Sequence, residues 1–323
     1  MTNRMETPGF GIVITSHNQA AFICDAVGSA LAQRHPPREV IVVDDASTDG
    51  SPALLEKYGG RILLVKMSAN RGACVARNLG ASKATGTHLV FLDGDDVMLP
   101  WALDVYSRLL ALKNPSLILS SLLHFSGRIP AHPPAAPQTV EFCEYETLLK
   151  KDRPCQASAS AFVIHREAFF AAGGWSEPIF PMEDLDLLVK LGCAGLTVQI
   201  LSPPTKCYRV HPGNTVNQIR SCINMLQAVI RKEKRGEYPG GRSARTQRSA
   251  FIGGPAWFWV KKGFRFSAYR EVLGLASNSW SMILAGTFFR ARAVFHGRQP
   301  IESIDLPSQL PASGVLRNSA AKD

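Results

Sequence analysis

Three carboxylates crowd a single turn in the stretch Asp93-Gly94-Asp95-Asp96. Without counter-charges they repel, and each raises the pKa of its neighbours. A hard divalent cation relieves that repulsion, because Mg²⁺ or Mn²⁺ is held by one or two carboxylates together with the oxygens of a bound phosphate. The plainer reading is a solvated acidic turn leading into the next helix, a common use of Asp. A second pair, Asp44-Asp45, lies upstream, and a third, Glu183-Asp184, opens an amphipathic segment. Acids at a helix start are common because the positive end of the helix dipole favours them. His211, beside Pro212-Gly213-Asn214, ends a short apolar stretch. A lone histidine at such a place is usually a structural residue.

These residues need a scaffold, and the apolar pattern supplies one. Residues 88–92 (His88-Leu89-Val90-Phe91-Leu92), between Gly86 and Gly94, read as a buried strand. Upstream, strands are expected at 11–14, 39–43 and 62–65. Helices are expected at 19–33 (stripe Phe22, Ile23, Ala26, Val27, Ala30, Leu31), from Ser51 to 58, and at 73–84. Strand and helix alternating in this way predict right-handed crossovers and a parallel sheet with helices on both faces. Ligands sit at the carboxyl ends of such strands. Thr15-Ser16-His17-Asn18, Asp44-Asp45 and Asp93-Gly94-Asp95-Asp96 therefore fall on one edge. No G-x-G-x-x-G follows the first strand, and no G-x-x-x-x-G-K-[ST] occurs. A bound phosphate must then be neutralised by metal and basic side chains, with Arg71 and Arg77 nearest. Farther on, the pattern predicts a helix at 100–112, a strand at 117–121, a loop at 127–137, a strand at 157–164 and helices at 166–171 and from 183.

The 323 residues are enough for a full core, in one large domain or two. The net charge of +10 is unevenly spread: residues 231–298 hold 14 Lys/Arg against three acids. A basic C-terminal part meets an anionic membrane or nucleic acid, or is a solvated helical face. Seven scattered cysteines without a C-x-x-C pair predict reduced thiols in a cytoplasmic protein, and argue against a zinc site or a disulfide framework. The first eight residues lack the apolar core of a signal peptide.

Taken in order, six stretches resemble one known family: Ile12-Val13-Ile14-Thr15-Ser16-His17-Asn18; Val42-Val43-Asp44-Asp45-Ala46-Ser47-Thr48-Asp49; Arg71-Gly72 with Ala76-Arg77-Asn78-Leu79-Gly80; Phe91-Leu92-Asp93-Gly94-Asp95-Asp96 with Pro100; Glu183-Asp184-Leu185-Asp186-Leu187; and Tyr208-Arg209-Val210-His211-Pro212-Gly213-Asn214. Over residues 10–216 the chain resembles family 2 glycosyltransferases of the GT-A fold. That implies a Rossmann-like, mostly parallel sheet with helices on both faces, and a metal-dependent inverting transfer from a nucleotide-diphosphate sugar to a hydroxyl. By the resemblance, Thr15, Asn18, Asp44, Asp45, Arg77, Asp93 and Gly94 look like the nucleotide-sugar site. Asp93 and Asp95 look like the D-x-D pair that holds Mg²⁺ or Mn²⁺, with His211 completing the metal site. Asp184 looks like the base, with Glu183 beside it raising its pKa, and Asp96 orients the loop or a sugar hydroxyl. Two departures stand out. His17 takes the place where the family often has an aromatic residue, and no Q-x-x-R-W pattern follows the histidine strand, which implies single additions rather than processive synthesis. The resemblance further implies cell-surface polysaccharide or glycolipid assembly on a glycan or lipid-linked acceptor. A nucleotidyltransferase would need a Gly- and Arg-rich loop after the first strand, absent here. A sugar-nucleotide-binding protein of this fold without turnover is the other alternative, and no nucleic-acid partner is expected.

Residues 1–235 are thus expected to form the GT-A domain. Residues 236–302 form a basic, aromatic helical extension, and 303–323 a disordered tail. Within the extension, 218–237 reads as a helix and 242–248 as a basic linker. Residues 272–289 carry no charge, yet Ser277, Asn278, Ser279, Ser281 and Thr287 make them too polar for a spanning helix. A packed helix pair or an interfacial helix touching an anionic membrane is expected instead.

Overall fold

The computed structural model describes residues 9–127, 129, 137–154, 158–296 and 298–306. Its first half alternates as expected: β1 (Phe10–Ser16), α1 (Ile23–Leu31), β2 (Glu39–Asp44), α2 (Ser51–Glu56), β3 (Leu63–Lys66), α3 (Ala73–Lys83) and β4 (His88–Asp93). There follow β5 (Val97–Met98), α4 (Ala102–Lys113), β6 (Leu117–Leu119), β7 (Leu122–Phe125), β8 (Thr139–Tyr145), β9 (Phe162–His165), α5 (Arg166–Ala171), α6 (Glu183–Leu191), β10 (Thr197–Ser202) and β11 (Lys206–Arg209). The chain closes with α7 (Ile219–Arg235), α8 (Arg245–Arg265), α9 (Tyr269–His296) and β12 (Glu302–Asp305).

The main sheet runs β12-β8-β10-β6-β9-β4-β1-β2-β3, and a small one runs β5-β11-β7. Strands β3, β2, β1 and β4 are mutually parallel, and β9 joins this half antiparallel to β4. Alternation along β1 explains the layering. Ile12 and Ile14 face a core shared with α1 and α4, while Val13 faces one shared with α3, α5 and α6. Helices therefore cover both faces, as the resemblance implied.

A third core belongs to α7, α8 and α9, and it takes Leu185 and Val189 from α6. The opposite face of α6 gives Leu187, Leu188 and Leu191 to the sheet. Helices α8 and α9 cross closely at Gly253, where a Cβ would lie 1.9 Å from the Met282 carbonyl oxygen, so only glycine fits.

Several expectations are corrected. Residues 242–248 are no simple linker: α8 begins at Arg245, and Arg248 is buried against Glu233 (Nε–Oε2 2.6 Å). The alternation at 157–164 resolves into a tight 3₁₀ turn at Ala159–Ala161 followed by β9. The turn is needed because Ser160 Oγ accepts a hydrogen bond from the Asp93 amide (3.0 Å) at the tip of β4. Ser303 to Leu306 are ordered, since β12 pairs with β8; 307–323 lie outside the described residues, as does most of 127–137. By length and composition α9 is able to cross a membrane over Tyr269–Phe289, contrary to the polarity argument. Ser279 and Thr287 spend their hydroxyls on carbonyls of their own helix (Leu275 O 2.7 Å, Ile283 O 2.8 Å), which masks their polarity.

Candidate active site

Strand register brings the acidic strand ends together. Thr15 is paired with Asp93, and Ser16 with Asp44. The chain turns at Gly94, whose amide donates to Thr15 O (3.0 Å). A Cβ there would lie 2.2 Å from Gln19 Oε1 and 2.8 Å from Thr15 O, so the residue beside the carboxylates must be glycine. A cleft of about 1110 Å³ opens over this edge. Thr15, Asn18, Asp45, Arg77, Asp93, Asp95, Glu183, Asp184 and His211 all line it; Asp44 and Gly94 do not.

Some of these side chains brace the cleft wall. Asp45 accepts from the amides of Arg71 (2.8 Å) and Gly72 (2.7 Å), which uses both its oxygens. Asp44 lies buried behind it and accepts from the Ser47 amide (3.1 Å). Asn18 adopts a left-handed backbone (φ 52°), which Asn tolerates better than most residues. Its Oδ1 accepts from the amides of Thr48 (2.8 Å) and Asp49 (3.3 Å). His17 Nδ1 lies 2.7 Å from the Asp45 carbonyl, which can only accept, so Nδ1 carries the proton and Nε2 accepts from Asn70 Nδ2 (2.9 Å).

At the tip of β4, Asp95 Oδ2 meets His211 Nε2 at 2.8 Å. Burial and then the charge of Asp93 raise the Asp95 carboxyl above the usual range, with His211 opposing. Asp96 is buried and accepts from the Arg209 amide (2.9 Å); burial, then Asp93 and Asp95, push it well above the ordinary value. Its Oδ1 thus ties the loop to β11, while Oδ2 has no partner among the described residues. Arg209, quoted in the sequence motif without a role, locks this corner. It donates to Asp95 O (2.8 Å), pairs with Asp25 (2.8 Å) and lies between the rings of Phe22 (4.9 Å) and Phe125 (4.6 Å). Beneath, the fully buried Lys206 donates to Phe91 O (2.9 Å). Burial brings its pKa down to about 7 against the pull of Asp96 and Asp93.

Across the cleft stands the first turn of α6. Arg77, buried on α3 and stacked 4.9 Å over Trp175, forks between the two sides: Nη2 reaches Asp93 Oδ1 (2.7 Å) and Nη1 reaches Glu183 Oε1 (3.0 Å). Glu183 is therefore tied to Arg77, a link no local pattern announces. Asp184 is left beside it with one buried oxygen, Oδ1, that has no partner among the described residues. Burial first, and the charge of Glu183 second, raise its carboxyl well above the usual range, against Arg77. An unpartnered carboxyl whose pKa is raised and which faces a cleft is the kind of group that takes up a proton.

Among the described residues no three His, Cys, Asp or Glu side chains gather to hold a metal by themselves. The donor set nevertheless fits a hard cation, which commonly takes one or two carboxylates and completes its shell with phosphate oxygens. Asp93 and Asp95, one raising the other's pKa, supply that pair.

Residues 11–169 match the profile of Glycosyl transferase family 2. The succinoglycan biosynthesis protein ExoO of Rhizobium meliloti is 40% identical over 96 residues, 29% of this chain and 28% of that one. The UDP-Glc:alpha-D-GlcNAc-diphosphoundecaprenol beta-1,3-glucosyltransferase WfaP of Escherichia coli is 25% identical over 223 residues, covering 68% of this chain and 85% of its own. The chain spans 28–36% of the length of three curated relatives that it matches at 39–42% identity. In fold it is similar to S. aureus TarS 1-349, solved in complex with UDP-GlcNAc, at a TM-score of 0.62 and 15% identity, over 86% of this chain and 81% of that one. With its acidic strand ends, its parallel half-sheet and the matched stretch that carries them, the chain belongs to glycosyl transferase family 2.

Proposed function

We propose that the protein is an inverting glycosyltransferase that uses Mg²⁺ or Mn²⁺ and moves a sugar from a nucleotide-diphosphate donor to an acceptor hydroxyl. The observation that carries this reading is the unpartnered Asp184 facing Asp93 and Asp95 across one cleft, with Arg77 between them. The relatives support the donor class: WfaP is named for a UDP-sugar substrate, and TarS was solved with UDP-GlcNAc.

Thr15, Asn18, Asp45 and Arg77 line the donor end, with Asp44 and Gly94 shaping the wall behind it. Asp93, Asp95 and His211 would hold the cation, which when bound stabilises negative charge on the diphosphate. Asp184 accepts the proton of the acceptor hydroxyl. The freed oxygen forms its bond to the anomeric carbon on the face opposite the diphosphate. The carbon–oxygen bond to the diphosphate breaks, and the leaving group keeps the electron pair, so the configuration inverts. Glu183, held by Arg77, maintains the negative field that keeps Asp184 basic. Transfer is assigned to residues 1–235. Residues 236–302 provide a basic, aromatic surface for peripheral contact with an anionic membrane on its cytoplasmic face. The product is cell-surface polysaccharide or glycolipid, built by single additions onto a glycan or lipid-linked acceptor.

The test is hydrolysis of UDP-, GDP- and dTDP-sugars with and without Mn²⁺ or Mg²⁺, alongside Asp184→Asn. Turnover of one donor should require the cation, and the variant should lose about 10²- to 10⁴-fold in rate with UDP affinity unchanged. Equal turnover in the variant removes Asp184 from the role, and donor binding without any turnover would leave a binding protein.

A further inference from the structure

A second hollow, of about 490 Å³, shares no lining residue with the cleft. One wall is the loop between α5 and α6, with Gly173, Trp175, Ser176, Pro178 and Ile179. The other is α7, where Ala228, Arg231, Lys232 and Arg235 recur at helical spacing and so share a face. The core face of α7, with Ile223, Leu226 and Ile230, points the other way. Cations in a last helical turn suit the negative end of the helix dipole. The dipole does not call for a hollow beside them, nor for like charges at Arg231 and Arg235, which repel at this spacing.

The charges around the hollow do not cancel. Arg235 pairs with Glu237 (2.5 Å), which also lines it. Lys232 pairs with the buried Asp186 (2.5 Å), which Lys190 already reaches from the other side (3.2 Å). Arg231 has no partner among the described residues, and Glu177 of the loop does not line the hollow. Two acids thus face four cations, a surplus of two positive charges. The loop wall is also firmly set. Trp175 is 2% exposed, and Asn78 holds its backbone twice, donating to its carbonyl and accepting from its amide (2.9 Å each). Arg77 lies over its ring at 4.9 Å and Phe162 stacks on it at 5.9 Å, so the indole offers the hollow an edge. The polar atom of that edge, Nε1, is buried and has no partner among the described residues. A buried donor left unbonded in the wall of a cationic hollow marks the place of an acceptor.

We propose that this hollow is a binding site for a sugar phosphate, separate from the donor site and independent of the transferase reading. A phosphomonoester carries nearly two negative charges at neutral pH, the surplus found around the hollow. Guanidinium forks match its oxygens, so Arg231 and Arg235 hold the phosphate, with Lys232 beside them. The volume falls within the range of ligand pockets, about 300–1,000 Å³, and inorganic phosphate alone would leave most of it empty. The sugar lies against Pro178, Ile179 and Ala228, where Glu237 accepts a hydroxyl and Trp175 Nε1 donates to a sugar oxygen. A nucleotide base fits less well, because the faces on which it would stack are taken by Arg77 and Phe162.

The full chain is titrated by calorimetry with glucose 1-phosphate, glucose 6-phosphate, inorganic phosphate and glucose, with UDP present to hold the cleft. One of the sugar phosphates should bind at least about tenfold tighter than inorganic phosphate or glucose. Arg231→Gln/Arg235→Gln removes both forks from exposed positions outside the cleft. It should cut that affinity at least about tenfold, with thermal unfolding and UDP binding unchanged. The five tryptophans of the chain give five indole N–H signals in a nitrogen-15 spectrum. The Trp175 signal, identified by its loss in Trp175→Phe, should move when the sugar phosphate is added to wild type and stay in place in the double variant. Binding no tighter than inorganic phosphate would leave an adventitious ion only, and overturns the site. Undiminished affinity in the double variant, an unmoved Trp175 signal, or binding abolished by UDP overturns it as well. None of these readouts depends on sugar transfer, so an inactive enzyme that passes them keeps the site, and an active one that fails them loses it.

Discussion

Replacing Arg77 with Met separates the two halves of the site. The guanidinium is buried, with Nη2 on Asp93 and Nη1 on Glu183, whose side chains are 24% and 6% exposed. Methionine fills much of the volume over Trp175 and leaves two carboxylates without their counter-charge. Breaking a buried pair by removing one partner costs about 3–5 kcal/mol, because the remaining charge stays desolvated. Most of that falls on Glu183, since water reaches Asp93. Loss of the stacking on Trp175 at 4.9 Å adds about 0.5–2 kcal/mol. The expected total is about 4 kcal/mol, read from urea unfolding at neutral pH at an unchanged denaturant slope. A second substitution identifies the cause. In Arg77→Met/Glu183→Leu the stranded charge is gone, so the double variant should be more stable than the single one by about 1–3 kcal/mol. Arg77→Lys, a point charge able to satisfy one acid, should fall between wild type and Met. A loss below about 1 kcal/mol in the single variant, or strict additivity in the double, would refute the claim that one guanidinium joins the donor end to the base.

Three further outcomes follow from the same geometry. The Asp184 carboxyl is raised well above its usual value, so the rate of transfer should climb with pH through that raised pKa; Asp184→Glu, which keeps a titrating base, should retain such a limb, and its absence in wild type would count against Asp184. His88 is buried and neutral, its pKa brought down to about 4 from 6.5 by burial and then His165, so the unfolded chain takes up the proton first. Stability should therefore be full above pH 6.5 and decline toward pH 4 by up to about 3 kcal/mol, and His88→Phe should flatten urea midpoints measured at pH 7 and pH 5. Gly94→Ala should lower UDP affinity and destabilise by about 1–3 kcal/mol, since the new methyl must displace Gln19 or the Thr15 carbonyl; a variant as stable and as tight as wild type would show the turn to be compliant.

What the sequence disclosed was local. Apolar runs that end in carboxylates mark strand tips, and alternation of strand and helix predicted that these tips share one edge; the register, which pairs Thr15 with Asp93 and Ser16 with Asp44, is seen only in the structure. What it hid was pairing at a distance. Arg77 and Glu183 are 106 residues apart, and Arg209 and Asp25 are 184 apart. Nothing in the composition near either partner distinguishes a bridged ion from a solvated one. Asp45 illustrates this: its carboxylate, which also lines the cleft, accepts from the amides of Arg71 and Gly72, some 26 residues on, a link its own neighbourhood does not announce. Arg248 was hidden in the same way, a basic residue in a basic stretch whose partner is the buried Glu233. Strand β8 alternates over Thr139–Tyr145 but follows a proline-rich stretch, and the proline signal overshadowed the period of two.

The place of α6 changes what residues 236–302 mean. Its first turn carries Glu183 and Asp184, one face packs on the sheet through Leu187, Leu188 and Leu191, and the other meets α7, α8 and α9 through Leu185 and Val189. Between them, the fully buried Asp186 is bonded to Tyr238 (2.7 Å) and Ser176 (2.6 Å) and paired with Lys190 and Lys232. These partners hold its carboxyl below the ordinary value although burial works the other way. A helix clamped in this manner transmits any loss of α8 and α9 to the base at its tip. Truncation before α8 would bare the apolar residues of that third core and unseat Asp184 at once. Loss of activity in a truncated chain therefore says nothing about membranes, whereas substitutions confined to the exposed Trp280, Leu284 and Phe288 of α9 leave the α6 contacts intact. Only the latter separate where the protein docks from how its base is held.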